Sequence, residues 1–311
     1  MFNVLKDSVS IANKFMSGAR KAYKDGHNIN TYVKKFIKTN NKKEVNSFAV
    51  QYSYDLQAGS YIKAIQKGKG KEFNQRWVEQ LSEIIKNYLP NEGSLLEVGV
   101  GDGTTLKGLR EKLSKISSIS YGFDISLSRS FQAKKYLGDD EAPCVIFCAD
   151  MFDIPLTDNS VDIVYSSHSL EPNGGFEKEL IKECLRVCKV GLVLVEPIYE
   201  LADSQAKRRM DEHGYVKNLK TIIEELGEDI DIYELLETRW SDLNPSGVIT
   251  VVKKRKADSE NKSIWRCPIT NATLEEKENF FYNKEYGIAY PVIKEIPIIK
   301  KESGILGVNI E

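Results

Sequence analysis

The chain has 311 residues, of which 41% are hydrophobic and 29% are charged. Its 44 lysines and arginines nearly balance 45 aspartates and glutamates, so the formal net charge is −1. This composition excludes collagen-like, intrinsically disordered and strongly basic proteins. At roughly 150 residues per domain, the length predicts about two domains with a sizeable core.

Neither a membrane span nor a signal peptide is predicted, and we expect a cytoplasmic protein. No stretch approaches the roughly 18 to 20 consecutive apolar residues of a spanning helix, and Lys6 and Asp7 interrupt the first apolar run. The five cysteines are odd in number and form no C-x-x-C pair, which is typical of reduced, buried thiols. Cys184 and Cys188, four residues apart on a predicted helix, are expected to pack against a sheet rather than bind metal.

The near-neutral total conceals a basic amino-terminal segment, because residues 1–45 hold ten lysines and arginines against three acidic residues. Apolar residues recur there at spacings of three and four, which predicts an amphipathic helix. These residues are Phe2, Val4, Leu5, Val9, Ile11, Ala12, Phe15 and Met16. We expect their face to pack on the rest of the chain or on a second copy in a homodimer. An anionic membrane surface and nucleic acid are the alternatives.

Residues 46–70 are rich in aromatic side chains and end in a Gly/Lys-rich break at Gly68 and Gly70, which suggests a mobile lid. A helical pattern follows from Glu72 to Leu89, and Pro90 to Gly93 form a stop signal.

After Gly93, short apolar runs alternate with amphipathic segments. This pattern predicts a doubly wound, mainly parallel sheet over residues 93–255, buried on both faces by helices. The predicted strands are SLLEVGV, ISYGFDI, CVIFCAD, VDIVYSS, GLVLVEP, IDIYELLETRW and GVITVVKKR. The last two, joined by a turn-prone stretch, are expected to form a hairpin. Helices are predicted near Thr104, near Ser126, after Asp150 and near Asn173.

The segment LLEVGVGDGTTLKGL, residues 95–109, places three glycines between a strand and a helix. Glycines at such a turn allow a ligand to approach the backbone, whose amides point outward at the helix start. A dinucleotide fingerprint has the spacing G-x-G-x-x-G, whereas Thr104 stands where its third glycine would be. The pattern of Glu97 followed by Gly99, Gly101 and Gly103 resembles motif I of the class I S-adenosylmethionine-dependent methyltransferases.

Two carboxylates extend this resemblance. Asp124 ends the second predicted strand, where a carboxylate can accept hydrogen bonds from ribose hydroxyls or cap the next helix. Asp150 ends the third strand, and the run from Asp150 to Val164 resembles the signature of type-11 methyltransferases. The resemblance implies that Asp150 contacts the adenine amino group and that Met151 covers the ring. The implied cofactor is S-adenosylmethionine, and its predicted contacts also include Glu97, Ile125 and Ser167.

Candidate catalytic residues follow the fourth strand. Ligands bind outside the carboxyl ends of such strands, so His168 and Glu171 are expected near the transferred methyl group. His168 is a candidate general base for an acceptor hydroxyl, or else a structural residue. The family often has a second histidine at the position of Pro172, so no role is assigned there. His213 is a second candidate base, with a surface position as the alternative.

The tail, residues 263–311, resembles the small Trm112-like zinc module, a relative of methyltransferase activators. It keeps Cys267-Pro268, Gly287, Tyr290-Pro291 and Ile296-Pro297. Thr270, Asn283 and Tyr286 stand where the module has its other cysteines. One thiolate cannot form a four-ligand zinc site, so we expect a hairpin fold without metal.

We therefore expect three regions: a helical extension or lid over 1–90, a methyltransferase domain over 91–256 with a seven-stranded Rossmann-like sheet, and the tail module over 263–311. The expected activity is methyl transfer to a hydroxyl, amine or carboxylate of a small molecule or glycan precursor. RNA or a translation-related protein is the alternative acceptor, although no broad basic surface favours nucleic acid. A non-catalytic scaffold that binds the cofactor is a third hypothesis.

Overall fold

A computed structural model describes residues 2–39, 43–138, 142–239, 241–253 and 263–310. Its centre is one seven-stranded sheet with the strand order β3-β2-β1-β4-β5-β7-β6. The strands are β1 (Gly93–Val98), β2 (Ser117–Asp124), β3 (Cys144–Cys148), β4 (Val161–Ser167), β5 (Cys188–Pro197), β6 (Asp229–Leu235) and β7 (Ser246–Val252). Strands β1 to β5 pair in parallel, and β7 lies antiparallel between β5 and β6. The predicted sheet and hairpin are confirmed.

Helices cover both faces of the sheet. They are α5 (Gly68–Lys86), α6 (Thr104–Leu113), α7 (Leu127–Leu137), α8 (Glu177–Val187), α9 (Ser204–His213) and α10 (Leu219–Glu225). Successive strand residues point to opposite faces: Leu95 packs with α5, α6 and α7, whereas Leu96 packs with α8, α10 and the tail. The strand order reverses between β1 and β4, so a crevice for ligands is expected where these two strands end.

The amino-terminal residues form α1 (Phe2–Lys24), α2 (Ile29–Thr39), α3 (Lys43–Leu56) and the short α4 (Ser60–Ala64). Phe15 and Ala19 of α1 are buried against α2 and α3 in a separate small core. Of the predicted apolar face, Phe15 is therefore covered by its own chain, whereas Ile11, Ala12 and Met16 are half-buried. The side chains of residues 2–9 lie outside the description. No helix in the described ranges is both long enough and apolar enough to cross a bilayer.

Three local predictions were wrong. The sequence predicted a break at Gly68 and Gly70, but α5 begins at Gly68 and includes both glycines. No helix forms after Asp150, where the described chain runs through turns to β4. Arg186 donates hydrogen bonds to the carbonyl oxygens of Ile154 and Leu156, which a helix would need for its own ladder.

The third wrong prediction concerns the paired cysteines. Cys184 lies on α8, but Cys188 begins β5 rather than continuing the helix. Both thiols are buried in the core between helix and sheet, and burial raises their pKa values. The predicted packing of these two residues is confirmed.

The tail forms a second, antiparallel sheet. Its strands are β8 (Glu275–Glu276), β9 (Phe280–Asn283), β10 (Ile288–Ile293), β11 (Ile296–Pro297) and β12 (Ile305–Leu306). Trp265 packs edge-on against Phe147 of β3, with ring centroids 5.2 Å apart. Ile298 forms a parallel bridge with Cys148, and the amide of Ile299 donates to the Cys148 carbonyl at 2.9 Å. The tail therefore packs directly on the large sheet, beside β3.

Candidate cofactor and acceptor site

The three glycines after β1 form the centre of the candidate site. Gly99, Gly101 and Gly103 all have positive φ angles, of 69°, 54° and 78°. A Cβ atom on Gly99 would lie 2.4 Å from the Cβ of Ser169, so a side chain cannot fit there without movement. The amide of Gly101 donates to Oδ2 of Asp124 at 3.1 Å. The loop therefore puts no side chain of its own between its backbone and a ligand, although Gly101 and Gly103 are buried, and it holds Asp124, the next predicted site residue.

Asp124 ends β2 with both carboxylate oxygens fixed. Its Oδ1 accepts a 2.8 Å hydrogen bond from the Ser126 amide, and burial raises its pKa. Ser126, whose hydroxyl accepts from the Arg129 amide, is the residue that caps α7. The capping alternative for Asp124 is therefore taken by Ser126. Ile125 lies between them, with its side chain half-buried.

Asp150 and Met151 follow β3 at the same edge of the sheet. The Oδ1 of Asp150 accepts from the Phe152 amide at 3.0 Å, and burial raises its pKa. The Met151 sulfur accepts a 3.6 Å hydrogen bond from the side-chain amide of Asn173. The ends of β1, β2 and β3 thus bring together the glycine loop and both predicted cofactor carboxylates.

Glu97 lies deeper than these residues. Its carboxylate accepts a 2.9 Å hydrogen bond from the Tyr165 hydroxyl and bonds the backbone of Leu106 at the start of α6. Burial raises the pKa of Glu97 to about 8. The side chain therefore links two strands to the helix after the glycine loop, and its direct contact with the cofactor stays a prediction.

Sequence reasoning missed a buried ion pair beside the glycine loop. Arg129 and Asp102 are both buried, with 3.5 Å between Nη1 and Oδ1. The two oxygens of Asp102 also accept hydrogen bonds from the amides of Gly59 at 3.0 Å and Tyr61 at 2.9 Å. The Arg129 guanidinium lies 4.4 Å from the centroid of the Tyr61 ring. The signal in the sequence was an aspartate between two glycines, but its partners are distant along the chain.

These bonds attach the amino-terminal helices to the site. Gln51 of α3 donates to the Ile125 carbonyl at 3.2 Å, and Asp55 accepts from the Ser128 amide at 3.1 Å and from the Ser126 hydroxyl. We call residues 51–61 the strap. The strap lies within the region predicted to be a lid, and it contacts the glycine loop and the start of α7. That it moves stays a prediction.

The second half of the site follows β4. His168 has a φ of 55°, which is rare for a residue with a side chain and indicates a constrained backbone. Its Nδ1 lies 2.8 Å from Oε2 of Glu171, and its Nε2 lies 2.7 Å from the Ser246 hydroxyl. A carboxylate only accepts hydrogen bonds, so neutral His168 carries its proton on Nδ1 and accepts at Nε2 from Ser246.

Further polar groups fix the His168–Glu171 pair. Tyr215 is hydrogen-bonded to Glu171, and burial together with the charge of Glu171 raises the pKa of Tyr215 to about 12. Glu196 at the end of β5 accepts from the amides of residues 169, 170 and 171, at 3.0 to 3.1 Å. Burial raises the pKa of Glu196 to about 7. Glu196 therefore holds the loop that carries the pair.

Ser167 and His213 flank this network. The Ser167 hydroxyl accepts from the Trp77 indole at 3.2 Å, and the Trp77 ring lies 5.5 Å from that of His168. His213 ends α9 with Nδ1 2.8 Å from the Arg209 carbonyl, and its ring lies 5.4 Å from that of Tyr215. The structure thus brings Ser167, His168 and Glu171 together and connects His213 to them through Tyr215.

Comparisons with known proteins agree with this geometry. Residues 96–195 match the family model described as a methyltransferase domain. The structure resembles that of magnesium protoporphyrin IX methyltransferase from Synechocystis PCC 6803 with bound S-adenosylhomocysteine, at 15% identity and a TM-score of 0.52. The match covers 67% of this chain and 100% of that chain. No curated protein sequence matches the chain.

A second similar structure is a complex between the Haloferax volcanii Trm112 methyltransferase activator and a methyltransferase described there as putative. It has 14% identity and a TM-score of 0.51, covering 68% of this chain and 100% of that chain. At these identities, the two structures establish the fold. Together with the family match over residues 96–195, this Rossmann-like fold leads to one conclusion: the chain contains a methyltransferase domain and is an enzyme whose cofactor is S-adenosylmethionine.

Proposed function

We propose that this enzyme methylates a hydroxyl, amine or carboxylate of a small molecule or glycan precursor. The observation that carries the proposal is the His168–Glu171 pair, whose partners fix it at the edge of the sheet that also carries Asp124 and Asp150. A proton-accepting pair beside a methyl-donor site suits a hydroxyl or amine acceptor, which loses a proton when it is methylated, whereas an ionised carboxylate acceptor would not use the pair as a base.

The cofactor residues fit S-adenosylmethionine. Gly99, Gly101 and Gly103 give it backbone without side chains, and their positive φ angles are those that glycine adopts most readily. We assign ribose binding to Asp124, adenine binding to Asp150 and Met151, and adjacent contacts to Ile125, Ser167 and, through the loop, Glu97. The bound sulfonium supplies the methyl group, and the chain contributes orientation and exclusion of water.

We assign proton removal to the His168–Glu171 pair, with Glu171 as the group that faces the acceptor. The unprotonated nitrogen of His168, Nε2, accepts a hydrogen bond from Ser246, which is fully buried. Glu171 remains partly exposed, with its side chain 18% accessible. A hydroxyl acceptor would transfer its proton to the Glu171 carboxylate as its oxygen bonds to the methyl carbon, while the bond from that carbon to sulfur would break and leave S-adenosylhomocysteine. His213 reaches this pair only through Tyr215, so we rank it behind Glu171 and His168.

A screen of hydroxyl, amine and carboxylate acceptors with methyl-labelled S-adenosylmethionine tests the proposal, with mass analysis of the product. Glu171→Gln should bind the cofactor like the wild type but lose at least about a hundredfold in turnover, the usual loss for a general base. An active Glu171→Gln variant would refute the role of Glu171. Cofactor binding without product from any acceptor class would favour the scaffold hypothesis.

An RNA or a translation-related protein is the second candidate acceptor, because the tail resembles the Trm112-like module. The positions of that module's metal ligands lie together here: Thr270 accepts a 2.7 Å hydrogen bond from Asn283, whose side-chain oxygen accepts from the Tyr286 amide at 3.1 Å. Cys267 lies 3.1 Å from the Tyr290 hydroxyl. Retention of RNA at low salt that falls steeply as salt rises would support this candidate.

We propose that hydrogen bonds take the place of zinc in the tail. Within the described ranges, no three His, Cys, Asp or Glu side chains come together as a metal site would require. Elemental analysis that finds one zinc per purified chain would refute this. A homodimer through α1 also remains a proposal, and its molar mass in solution tests it.

A further inference from the structure

The tail lies beside the loop that carries Asp150. The amide of Ile299 donates to the carbonyl of Cys148 at 2.9 Å, two residues before Asp150. On the other side of Asp150, Asp153 forms an ion pair with Lys301, with 2.5 Å between Oδ2 and Nζ. The tail therefore contacts the loop both before and after Asp150, and the tail residue between these two contacts runs alongside Asp150.

That residue is Lys300, and the packing of its neighbours gives the direction of its side chain. Ile298 packs with Cys148 and α7 in one small core, whereas Ile299 packs in the main core on the other side. Lys300 is extended, with φ −122° and ψ 156°, so its side chain shares the face of Ile298. On that face the Cys148 thiol donates to the carbonyl of Ile125, the first residue after β2, at 3.4 Å. Lys300 therefore faces the ends of β2 and β3.

The ammonium group of Lys300 is buried and only partly satisfied. The side chain is 9% accessible, and its Nζ lies 3.1 Å from Oε1 of Glu302, a side chain that is 66% accessible. Among the described residues, Glu302 is the one hydrogen-bond or ion-pair partner of this Nζ. Because an ammonium carries three N–H donors and a buried charge needs partners, Lys300 has donors left for a ligand.

Electrostatics agree with this placement. Burial raises the pKa values of Asp150 and Cys148, and the charge of Lys300 acts against this increase at both groups. Lys300 therefore combines a position alongside Asp150 with a positive charge that Asp150 senses.

The edge of adenine complements such a pair of side chains. Its amino group donates hydrogen bonds, and the ring nitrogens on either side of it, N1 and N7, accept them. Asp150, which we assign to the amino group, only accepts when ionised, and the Lys300 ammonium only donates. The two side chains together thus match the alternation of donor and acceptor along adenine.

We propose that Lys300 donates a hydrogen bond to N1 or N7 of the adenine of bound cofactor, so that the tail completes the cofactor site. This rests on the assignment of Asp150 to adenine in the proposed function. A hydrogen bond from a charged donor is stronger than one between neutral groups. The tail thereby gains a role in cofactor binding that needs no metal.

Calorimetry on the full chain tests this with S-adenosylhomocysteine and its 1-deaza and 7-deaza analogues, in which a C–H group replaces one ring nitrogen. The wild type should bind one of the analogues about tenfold more weakly than the parent compound, the loss expected for a hydrogen bond to a charged group. Lys300→Met keeps the length of the side chain and removes its donors. It should bind the parent about tenfold more weakly than the wild type does, and that analogue no more weakly than the parent.

Lys301→Met is the matched control, because it removes the same charge from the next residue, whose side chain is 56% accessible. It should keep the affinity for the parent within about twofold and show the same loss with the analogue as the wild type. Lys300→Gln, with a shorter side chain, gives the same comparison if Lys300→Met does not fold.

Two results would overturn the proposal: equal affinities of the wild type for the parent and both analogues, or a loss with one analogue that is as large in the Lys300 variant as in the wild type. Failure of the proposed function gives a different pattern. If Asp150→Ala leaves the affinity for S-adenosylhomocysteine unchanged, the adenine assignment fails, whatever the Lys300 variants do.

Discussion

Asp102 and Arg129 form a buried ion pair that connects the glycine loop, α7 and the strap, because Asp102 also accepts two amide hydrogen bonds from the strap. We expect Asp102→Ala to lower the free energy of unfolding by about 3 to 5 kcal/mol, since Arg129 would stay buried without its partner. Urea unfolding measures this. Lys178→Ala, which removes an exposed pair with Glu225, should cost less than about 1 kcal/mol. Similar losses in both variants would contradict this view of the pair.

Among the three glycines of the cofactor loop, Gly99 is the one at which an added Cβ atom would lie closest to another residue. Gly99→Ala combines a positive φ with a Cβ placed 2.4 Å from Ser169. Gly214→Ala is the control, because Gly214 also has a positive φ, of 65°, but a Cβ there meets nothing within 4 Å. We expect about 1 kcal/mol of destabilisation at Gly214 from backbone strain and about 1 to 3 kcal/mol more at Gly99 from overpacking. Equal losses in urea unfolding would show that Ser169 moves aside.

Glu97 gives the fold a specific pH dependence. Its pKa is raised from 4.5 to about 8, so between these pH values the Glu97 side chain keeps a proton in the folded chain and loses it in the unfolded chain. The contribution of this group to stability is complete below pH 4.5 and declines as the pH rises toward 8. As the pH rises from 4.5 to 8, the free energy of unfolding should therefore fall less in Glu97→Gln than in the wild type. Urea unfolding at several pH values compares the two slopes, and identical slopes would contradict the raised pKa.

Trp265 connects the tail to the large sheet through Phe147 and to the tail strand β9 through Phe281, with ring centroids 5.2 and 4.9 Å apart. We expect Trp265→Ala to cost about 3 to 5 kcal/mol, as for other large core truncations. Because the tail shares the core of the sheet, the wild type, in which Trp265 is the one tryptophan of the tail, should unfold in a single transition both by tryptophan fluorescence and by circular dichroism. Leu306→Ala, at an exposed position, should change stability little. A separate early transition of the tail alone would contradict the shared core.

The sequence predicted the fold best in strands whose residues are buried on both faces of the sheet. Val98 and Val164 belong to strands buried on both faces, and such continuous apolar runs are recognisable without a structure. The glycines and Asp124 were recognisable because a tight turn and a strand-end carboxylate leave local patterns. The partners of Asp102 lie 27 to 43 residues away in the chain, so no local pattern could reveal them.

Where a local sequence pattern gave a wrong or incomplete prediction, contacts with residues distant in the chain explain the difference. A helix was predicted after Asp150, but the carbonyl oxygens of Ile154 and Leu156 accept hydrogen bonds from the Arg186 side chain instead. The aromatic residues of the strap suggested a lid, yet periodicity could not show that Tyr52 binds Arg20 of α1 and that Tyr61 lies against Arg129 of α7. The orientation of His168 toward Ser246 depends on a strand 78 residues later.

The contact of Ile298 and Ile299 with the end of β3 limits which parts of the enzyme can be expressed alone. Strand β3 is the last of its sheet, and its outer backbone groups would otherwise be open to pairing with another chain. A shortened protein ending before residue 263 would present that bare backbone and would also uncover the apolar surface on which Trp265 packs. Such fragments are expected to self-associate during expression, so biochemical work on the methyltransferase domain requires the tail.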